Sequence, residues 1–368
     1  MRIGLLITSI GNFGQKGFYN SQEIGLAKEL DKLFDEVIIY KAVPMSKQKI
    51  ENQIEGCNHS TLYQIPVKSR GINGMWDCNV MDPSLDALIY FSDTQLAVPN
   101  IYKWCCKNKI RMYPYIGVIE SHSTNAVKKL VINAMFKRNI VIYKKCTCFV
   151  KTPTVAEKLN DLGVKNTVLT PVGLDVSLLH TDYENTSVQE LKKKYGYQSG
   201  DRILLFIGRL IDEKQPIRII DILTKIRNKD RSYKLLMVGT GELKNEVENR
   251  IKDLHVSEYV QMIDRIPNSE IWELYRIADA FVNLNQQEIF GMAILEAMYY
   301  GCKVVAWEAP GPNLIIENGV SGWLVESNEE AIDVVENSMD VSETAHQRIV
   351  ENFTWKSSAK RIFSILAK

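Results

Sequence analysis

The segment AFVNLNQQEIFGMAILEAMYYGCKVVAW occupies residues 280–307. Its two ends, residues 280–284 and 303–307, are short apolar runs of the kind that form buried strands. Residues 291–300 between them have the length and composition of a helix. A strand, a helix and a second strand in this order predict a βαβ unit with parallel strands. The segment therefore indicates an α/β fold.

The same alternation of strand-like and helical segments extends along the rest of the chain. A length of 368 residues suggests two domains, each large enough to bury its own core. We therefore predict two doubly wound Rossmann-like domains facing a cleft, with ligands bound where the strands end. A polar stretch, residues 173–200, is the predicted linker. The other predicted strands are 3–8, 37–40, 87–91, 111–116, 148–150, 167–170, 202–207, 233–238 and 260–263, and the other predicted helices are 21–33, one starting near Pro216, 242–254 and 268–278.

Composition narrows the class of protein. Apolar residues make up 45% of the chain and charged residues 24%, as in ordinary soluble domains. No apolar run approaches the roughly 18 residues of a spanning helix, so we do not expect an integral membrane protein. The first residues, Met1–Ile7, read as a strand rather than a signal peptide. Seven cysteines without a CxxC pair read as reduced thiols, which predicts a cytoplasmic protein.

Two glutamates, Glu288 and Glu296, flank the predicted start of the helix in the opening segment. Eight helical positions separate their carboxylates by about 12 Å, which suits the two ends of one extended ligand such as a nucleotide sugar. A retaining glycosidase pair would need a separation of only about 5 Å. Between them, Gly291 lets the backbone approach a ligand, and the helix start offers N–H groups to a phosphate. Taken alone, however, this spacing would also occur between two surface glutamates that have no common function.

Cations and glycines follow two other predicted strands. Gly208, Arg209 and Lys214 follow the strand at 202–207, where a ligand is expected in an open parallel sheet. An Arg and a Lys on one loop can grip a diphosphate, although solvated surface charges would look the same. Gly239 and Gly241 follow the strand at 233–238, as a ligand-binding loop or as a tight turn. Together these loops predict an anion site.

Several segments resemble the GT4 family of retaining glycosyltransferases, which has the GT-B fold. The resemblance covers most of the chain and is more specific in the second half. In the first half it rests on a Gly-rich loop after the first strand, His122 and TPVGLD at 170–175, and NFTW at 352–355 resembles the start of the family's last helix. The matching segments of the second half are GRLIDEK at 208–214, LLMVGTGEL at 235–243, IPNSEIWELYRIADAFV at 266–282, EIFGMAILEAMYYGCKVVA at 288–306 and NGVSGWLV at 318–325.

The resemblance implies that the chain is divided into three parts. Residues 1–173 would form an N-terminal domain that binds the acceptor, and residues 174–350 a C-terminal domain that binds the nucleotide sugar. Residues 351–368 would form a helix that crosses back to the first domain. The acceptor, a glycan, a lipid-linked sugar or a small molecule, would contact Gly14, Gly17 and His122.

The resemblance also implies a metal-independent hexosyltransferase for glycan biosynthesis, with no cofactor and with a UDP sugar favoured over a GDP sugar as donor. Arg209 and Lys214 would stabilise the leaving diphosphate, Glu288 would hold the donor sugar, Glu296 the ribose, and His122 the donor sugar or the acceptor. Ile263 and Ile266 would lie against the base. These four, Arg209, Lys214, Glu288 and His122, are the catalytic candidates. The full donor site implied is Gly208, Arg209, Lys214, Gly239, Gly241, Ile263, Ile266, Glu288, Phe290, Gly291, Met292, Ala293, Ile294 and Glu296.

Three departures from the family pattern keep other functions open. Residues 283–287 replace the usual Pro-Ser, Asp264 stands where a glycine is usual, and Leu314 stands where a glutamate is usual. One alternative is therefore a catalytically silent, glycosyltransferase-like binding subunit. Another is a GT-B sugar-nucleotide epimerase, against which the Arg209 and Lys214 loop together with the glutamate pair argues.

Charge is distributed unevenly along the chain. Residues 1–175 carry 22 Lys and Arg against 15 Asp and Glu, and the remaining residues carry 23 against 29. Within the first half, residues 121–151 contain seven cations, no acidic residue and interleaved apolar residues. This pattern suits an anionic membrane surface, which would place the protein peripherally at the inner face of the cell membrane. A buried helix with solvated lysines is the alternative, and no nucleic-acid-binding motif accompanies the charge.

Overall fold

In a computed structural model of the chain, residues 1–10, 22–119 and 126–368 are described, with the backbone alone for residues 126–129. The chain divides into two compact units. Unit 1 contains Met1–Gly173 and Trp355–Lys368, and unit 2 contains Leu174–Thr354. The first division therefore falls at residue 173, and residues 351–354 belong to unit 2 rather than to the terminal helix.

Unit 1 is built on an eight-stranded sheet with the order β10-β9-β8-β7-β1-β2-β4-β3. All of its strands run parallel except β3, which is antiparallel to β4. Its elements are β1 (Arg2–Ile7), α1 (Gln22–Leu30), β2 (Glu36–Pro44), β3 (Ile50–Gln53), β4 (Ser60–Val67), β5 (Ser69–Arg70), β6 (Asn73–Gly74), β7 (Ala87–Phe91), α2 (Val98–Lys107), β8 (Arg111–Ile116), α3 (Ala126–Tyr143), β9 (Cys148–Val150), α4 (Pro153–Asp161) and β10 (Thr167–Leu169).

The central strands of unit 1 were predictable because both of their faces are buried. Ile3, Leu5 and Leu6 of β1 and Leu88, Ile89 and Tyr90 of β7 have no exposed surface, which gives the continuous apolar runs typical of parallel sheets. The prediction missed β3, β4 and the small β5–β6 hairpin. Every residue of β3 is exposed and its sequence, Ile-Glu-Asn-Gln, has no apolar alternation from which a strand could be recognised.

Unit 2 contains an entirely parallel six-stranded sheet with the order β13-β12-β11-β14-β15-β16. The predicted strands at 202–207, 233–238 and 260–263 are confirmed. Its elements are α5 (Val188–Lys194), β11 (Arg202–Ile207), α6 (Pro216–Arg227), β12 (Tyr233–Val238), α7 (Lys244–Asp253), β13 (Val260–Ile263), α8 (Ile271–Ile277), β14 (Ala280–Asn283), α9 (Met292–Tyr299), β15 (Val304–Trp307), α10 (Pro310–Ile315), β16 (Trp323–Val325), α11 (Asn328–Asn337) and α12 (Ser342–Asn352).

The predicted linker at 173–200 is wrong, because most of this segment is packed into unit 2. Tyr183, Leu191 and Tyr197 are buried in the unit's core, and Ser187 caps α5 by accepting from the N–H of Glu190 at 3.4 Å. The segment looks polar in sequence because its exposed side carries the lysines and glutamates. These three side chains, together with Leu174, hold the segment against the unit without producing an apolar run.

The last helix, α13 (Trp355–Leu366), packs within unit 1 against α1. Gly25 of α1 makes room for it, since a Cβ atom at that position would lie 2.4 Å from the Trp355 ring. The Ser358 hydroxyl also donates to the Pro171 carbonyl at 2.7 Å. The predicted terminal helix therefore starts four residues later than expected, at Trp355.

Candidate functional site

The candidate site lies where the strands of the unit 2 sheet end. In this sheet β11 lies between β12 and β14, and β13 lies beyond β12. Because parallel strands end at the same edge, the loops after these four strands are neighbours. They carry Gly208 and Arg209, Gly239 and Gly241, Ile263 and Asp264, and Glu288. The topology thus gathers segments that lie far apart in the sequence.

Two glycines allow the first two loops to pack backbone to backbone. The N–H of Gly208 donates to the Val238 carbonyl at 3.0 Å, and the N–H of Leu210 donates to the Thr240 carbonyl at 3.1 Å. A Cβ atom on Gly239 would lie 1.8 Å from the Gly208 oxygen, and φ of Gly239 is 147°. A Cβ atom on Gly241 would lie 2.3 Å from the Leu210 oxygen. Both glycines are therefore required by contact between loops.

The two predicted phosphate-binding cations have different surroundings. Arg209 is exposed, whereas Lys214 is half-buried just before α6. The ammonium of Lys214 lies 2.5 Å from Oε2 of Glu288, so the structure brings together the cation and the first glutamate of the pair. From the sequence, Lys214 was predicted to bind the diphosphate and Glu288 the donor sugar, which are separate parts of the ligand.

Two asparagines support the same carboxylate oxygen. Nδ2 of Asn285 lies 3.2 Å from Oε2 of Glu288 and Nδ2 of Asn283 lies 3.4 Å from it, and both asparagines are buried. Asn283 also accepts from the N–H of Asn285 at 3.1 Å, which fixes the turn between β14 and Glu288. The sequence analysis noted this stretch only as a departure from a family pattern. Two asparagines at the end of a buried strand were the signal that could have found them.

Glu296 projects from α9 and is surrounded differently from Glu288. The Tyr275 hydroxyl of α8 donates to its Oε2 at 3.0 Å. Although solvent reaches part of the residue, burial of the carboxyl raises its pKa to about 7, against the lesser effect of the Tyr275 hydrogen bond. Glu296 can therefore change charge near neutral pH. Tyr275 was not predicted, because its aromatic neighbours gave it the appearance of a core residue.

The start of α9 presents fewer N–H groups than predicted. Gly291 precedes the helix with φ of 97°, a left-handed conformation that favours glycine. The N–H of Ile294 donates to the Gly291 carbonyl at 3.0 Å, and the Ile294 side chain is fully buried. The N–H of Ile294 therefore has an internal partner, and contact of Ile294 with the donor stays a prediction. Met292 and Ala293 occupy the first helical turn, where backbone N–H groups lack helical partners.

A third close backbone approach fixes the loop before α9. The N–H of Gly311 donates to the Glu288 carbonyl at 2.8 Å, and a Cβ atom on Gly311 would lie 2.3 Å from the Phe290 oxygen. Phe290 itself is half-buried. Gly311 lies in the segment Pro310–Leu314 and was not among the predicted site residues. Its nearness to Glu288 follows from the β14–β15 pairing rather than from local sequence.

The two isoleucines predicted to contact a base differ in exposure. Ile263, at the end of β13, is partly exposed, whereas Ile266 is buried in the core of unit 2. Beside them, the ammonium of Lys244 lies 2.6 and 2.9 Å from the two carboxylate oxygens of Asp264. Ile263 is thus the one with surface to offer a planar ligand, and a charged pair borders it.

Three predicted residues lie outside the described residues: Gly14, Gly17 and His122. In the described part of unit 1, Lys151, directly after β9, is a cation that could bind a ligand. Its ammonium lies 5.3 Å from the centroid of the Tyr115 ring and 3.2 Å from Oε1 of Gln22. A Cβ atom on Gly117 would lie 2.4 Å from the Lys151 side chain, so this glycine gives the lysine its space.

Two kinds of site are absent from the described residues. Among residues 1–10, 22–119 and 126–368, no helix combines the length and the apolar character needed to cross a bilayer. Within the same residues, no three or more histidines, cysteines or carboxylates are grouped as ligands of a metal ion.

Curated relatives match parts of this chain. An alpha-monoglucosyldiacylglycerol synthase of Acholeplasma laidlawii is 21% identical over 239 residues, which are 64% of this chain and 59% of the relative. An N-acetyl-alpha-D-glucosaminyl L-malate synthase of Bacillus anthracis is 26% identical over 180 residues, which are 46% of each protein. The chain thus spans about half the length of the curated relatives it matches.

Solved structures match over the whole length. Anabaena HepE in complex with UDP has a TM-score of 0.73 at 16% identity, with all of both chains covered. Sucrose-phosphate synthase from Thermosynechococcus elongatus has a TM-score of 0.71 at 13% identity, covering 100% of this chain and 98% of the other. At these identities the similarity shows the fold, which is GT-B as predicted.

One family model matches the second unit. The family model described as glycosyl transferases group 1 matches residues 187–354. This range lies within unit 2 and contains the loops of the candidate site. Residues 187–354 are thus similar to glycosyl transferases group 1.

Proposed function

We propose that this chain is a retaining, metal-independent hexosyltransferase of the GT4 type. It would move a hexose-type sugar from a nucleotide-diphosphate sugar to a glycan, a lipid-linked sugar or a small molecule. The observation that carries the proposal is the meeting of Lys214 and Glu288 at the end of the unit 2 sheet, 2.5 Å apart. A phosphate-binding cation beside a hydroxyl-binding carboxylate is what a sugar joined to a diphosphate requires.

The cations would act on the leaving group. When the bond from the anomeric carbon to the β-phosphate breaks, negative charge develops on the phosphate oxygen. Arg209 can bind that diphosphate bidentately, and Lys214 can follow the growing charge as a point cation. Stabilisation of developing charge by groups that are already in place is among the largest contributions to catalysis. With two such cations, this proposal assigns no role to a metal ion.

Glu288 would bind the donor sugar through its second oxygen. Lys214, Asn283 and Asn285 all lie against Oε2. A carboxylate oxygen accepts more than one hydrogen bond, so Oε1 can face the sugar hydroxyls while Oε2 is held by the protein. The diphosphate would then attract Lys214 away from Glu288, and the two amides would keep the carboxylate in position.

Glu296 and Ile263 would bind the nucleoside. The carboxylate of Glu296 can accept hydrogen bonds from two ribose hydroxyls, and the exposed side of Ile263 can lie against the base. Structures of HepE are described in complex with UDP and with UDP-glucose, which supports UDP as the first nucleotide to test. Asp264 and Lys244 border the base position and would contribute to the choice of base.

The transfer would proceed with retention of configuration. The acceptor oxygen forms a bond to the anomeric carbon on the same face from which the diphosphate departs. The proton of the acceptor hydroxyl goes to the leaving phosphate oxygen, so no protein nucleophile is needed. We assign to His122 a hydrogen bond to the donor sugar or to the acceptor, and to Gly14 and Gly17 a backbone approach to the acceptor.

A membrane surface would be contacted by α3. One side of this helix is buried through Phe136, Ile140 and Tyr143. An adjacent side of the helix exposes Leu130, Ala134, Lys137 and Val141, spaced four and three apart, and Lys144 continues this spacing directly after the helix. Leu130 and Val141 are 72% and 60% exposed, which is unusual for such residues unless they meet a partner. Alternating apolar and cationic residues on an exposed helix face suit an anionic bilayer surface.

The decisive experiment is turnover of UDP-glucose and UDP-GlcNAc by the purified chain, with EDTA added or omitted. Release of UDP that persists in EDTA supports the proposal, and Lys214→Ala and Glu288→Ala should each abolish it. Binding of UDP without any turnover would favour a silent binding subunit. Appearance of an epimeric UDP sugar would favour an epimerase.

The nucleotide and the membrane are tested separately. Thermal stabilisation by UDP, GDP and ADP ranks the bases, since a ligand at 100 times its Kd stabilises by about 2.7 kcal/mol. Flotation with vesicles containing anionic phosphatidylglycerol tests α3. Loss of binding in a Lys137→Glu, Lys144→Glu variant is expected, and failure of the wild type to float at low salt would remove the membrane contact.

A further inference from the structure

An apolar groove of about 430 Å³ lies in unit 1 beside the end of β4. Its volume is in the range of small-molecule sites, which is about 300–1,000 Å³. No residue of this region was predicted from the sequence to bind a ligand, because its apolar residues are scattered between strands. The groove is lined chiefly by Met45, Ile65, Val67, Met75, Trp76 and Val80.

The groove lies at the edge of the sheet where the parallel strands end. Pro44 at the end of β2 pairs with Val67 at the end of β4. The hairpin that follows β4 is joined to the chain leaving β1, since the N–H of Gly74 donates to the Thr8 carbonyl at 2.8 Å. The N–H of Ile10 likewise donates to the Ile72 carbonyl at 2.7 Å. In the sequence, Thr8 and Ile10 are followed by Gly14 and Gly17, the proposed acceptor residues, which lie outside the described residues.

Large apolar side chains around the groove are exposed. Met45 is 61% exposed, Met75 55% and Val80 43%, and all three line the same groove. Contiguous apolar surface of this kind is uncommon on soluble proteins and usually marks a binding site.

The charge of the segments around the groove indicates which kind of apolar ligand it would bind. The lining itself contains one cation, Lys68, and one carboxylate, Asp77. The neighbouring residues 45–49 and 69–72 add the exposed cations Lys47, Lys49 and Arg70 and no acidic residue, so cations predominate around the groove. A lipid combines a hydrocarbon chain with a polar or anionic headgroup, and in a membrane it lies beside other such headgroups. An apolar face bordered by cations fits a lipid chain better than it fits an uncharged protein helix.

One polar atom of the groove lining lacks a partner. Nε1 of Trp76 is buried and has no hydrogen-bond acceptor among the residues that the structure describes. An unsatisfied buried donor is costly, and native proteins contain few of them. Because Nε1 is withdrawn from solvent, an ester, ether or glycosidic oxygen of a bound amphiphile would satisfy it only after a movement of the Trp76 side chain.

We propose that this groove binds the hydrocarbon chain of the acceptor, which makes the acceptor a lipid-type amphiphile. This inference rests on the proposed transfer function and narrows its acceptor class. The hydrocarbon chain would lie along Met45, Met75 and Val80, and the hydroxyl-bearing head would extend past the hairpin toward Thr8 and Ile10.

The test is binding of monomeric n-alkyl β-D-glucosides with chains of seven to ten carbons, each below its critical micelle concentration. Burial of one methylene group corresponds to about a fourfold gain in affinity. We expect affinity to rise about fourfold per carbon until the groove is filled. Affinity that does not depend on chain length would overturn the proposal, as would binding that occurs only with micelles or vesicles.

A matched pair of variants locates the site. Met75→Asp places a charge in the groove at an exposed position, where folding should be unaffected, and should lower the affinity for decyl glucoside at least tenfold. Met339→Asp makes the same change at a 72% exposed methionine of unit 2 and should leave it unaltered. Equal effects of both variants would overturn the assignment, and Val80→Asp repeats the test at a second lining residue.

Sugar-transfer assays test whether the ligand of the groove is also the acceptor. Decyl glucoside should accept sugar from the donor more efficiently than methyl glucoside in the wild type, and Met75→Asp should abolish this preference through KM. Stabilisation by UDP should be the same in both proteins, because it reports on unit 2. A wild type that binds UDP and transfers sugar without preference for the longer chain would refute the groove while leaving the transferase function intact.

Discussion

The ammonium of Lys214 lies 2.5 Å from Oε2 of Glu288, and both side chains are mostly withdrawn from solvent. In this arrangement each charge neutralises the other in the absence of ligand. A bound diphosphate carries more negative charge than one carboxylate and would compete for Lys214. The pair would therefore keep both groups ordered before the donor binds and would separate their roles once it has bound.

This relationship predicts opposite effects of two substitutions. Lys214→Met removes a charge-assisted hydrogen bond, worth about 1.5–3 kcal/mol, so the Kd for UDP should rise roughly tenfold or more. Glu288→Gln removes the competitor for Lys214, so UDP should bind at least as tightly as in the wild type while turnover of the UDP sugar falls strongly. Isothermal titration and UDP release measure the two quantities. Weaker UDP binding by Glu288→Gln would contradict the proposed exchange.

The asparagines beside Glu288 should act on sugar turnover and not on nucleotide binding. Asn285→Ala leaves the carboxylate less well held, and loss of a hydrogen bond to a charged group should lower kcat/KM for the UDP sugar about tenfold. The Kd for UDP should stay within about twofold, since the nucleotide does not depend on this contact. Asn337→Ala, at an exposed asparagine of α11, is the matched control.

A charged replacement separates positioning from a general loss of structure. Asn285→Asp would place a second carboxylate about 3.2 Å from Oε2 of Glu288, where the amide nitrogen now lies. Two carboxylates this close cannot both ionise easily, so the pKa of one of them should rise. The acidic limb of the pH profile of kcat/KM should therefore move to higher pH. A profile that only decreases in height would indicate a structural role alone.

The sequence predicted the fold well where local pattern and burial agree. The strands at 202–207 and 233–238 are buried on both faces, and their apolar runs mark both ends correctly. The exposed strand β3 and the packed segment around Tyr183 could not be recognised in this way. There the structure depends on pairing with a neighbouring strand or on a few anchoring side chains. Neither produces a periodic pattern of apolar residues in the sequence.

The candidate site was predictable in part for a related reason. Arg209, Lys214, Glu288 and Glu296 belong to motifs, and the order of strands brings their loops to one edge. The contact between Lys214 and Glu288 could not be predicted, because it depends on how two loops 74 residues apart fold over the sheet. Gly311 and Tyr275 were missed for the same reason, since each reaches the site from a neighbouring element.

The contact between Gly239 and Gly208 predicts a matched pair of glycine substitutions. Gly239→Ala would force a methyl group to within 1.8 Å of a backbone oxygen that cannot move independently, so the loops must separate. We expect a destabilisation of about 1–3 kcal/mol and at least tenfold weaker UDP binding. Gly200→Ala, where a Cβ atom would meet nothing within 4 Å, should change neither. Thermal unfolding and titration with UDP would check both, and an unaltered Gly239→Ala protein would contradict this account.

The packing of Trp355 on Gly25 predicts how the last helix is retained in unit 1. Gly25→Ala would place a methyl group 2.4 Å from the indole ring, which must then move away from α1. We expect lower thermal stability and faster hydrogen exchange in α13. In a Trp355→Ala background the same change should be nearly neutral, so the double-mutant cycle should show coupling of about 1 kcal/mol or more. Additive effects would mean that the two residues stabilise the protein independently.

The raised pKa of Glu296 predicts a dependence of stability on pH. The folded protein retains this proton up to about pH 7, whereas an unfolded chain releases it near 4.5. Folding therefore becomes less favourable as pH rises from about 4.5 to 7, and this loss is complete above 7. Glu296→Gln imitates the protonated form, so it should stabilise the protein at pH 8, by on the order of 2 kcal/mol, and leave it nearly unchanged at pH 4.5. Thermal melts of both proteins across this range would check the sign.

The same carboxyl should also make donor binding depend on pH. Ribose hydroxyls donate their hydrogens, so they favour the ionised acceptor, and binding should lower the pKa of Glu296. The Kd for UDP-glucose should consequently decrease several-fold between pH 6 and pH 8, a range in which the diphosphate diester itself does not titrate. Glu296→Gln should bind more weakly than the wild type at pH 8 and should lose the dependence on pH. If the variant kept the same dependence, another group would be responsible and Glu296 would not contact the ribose.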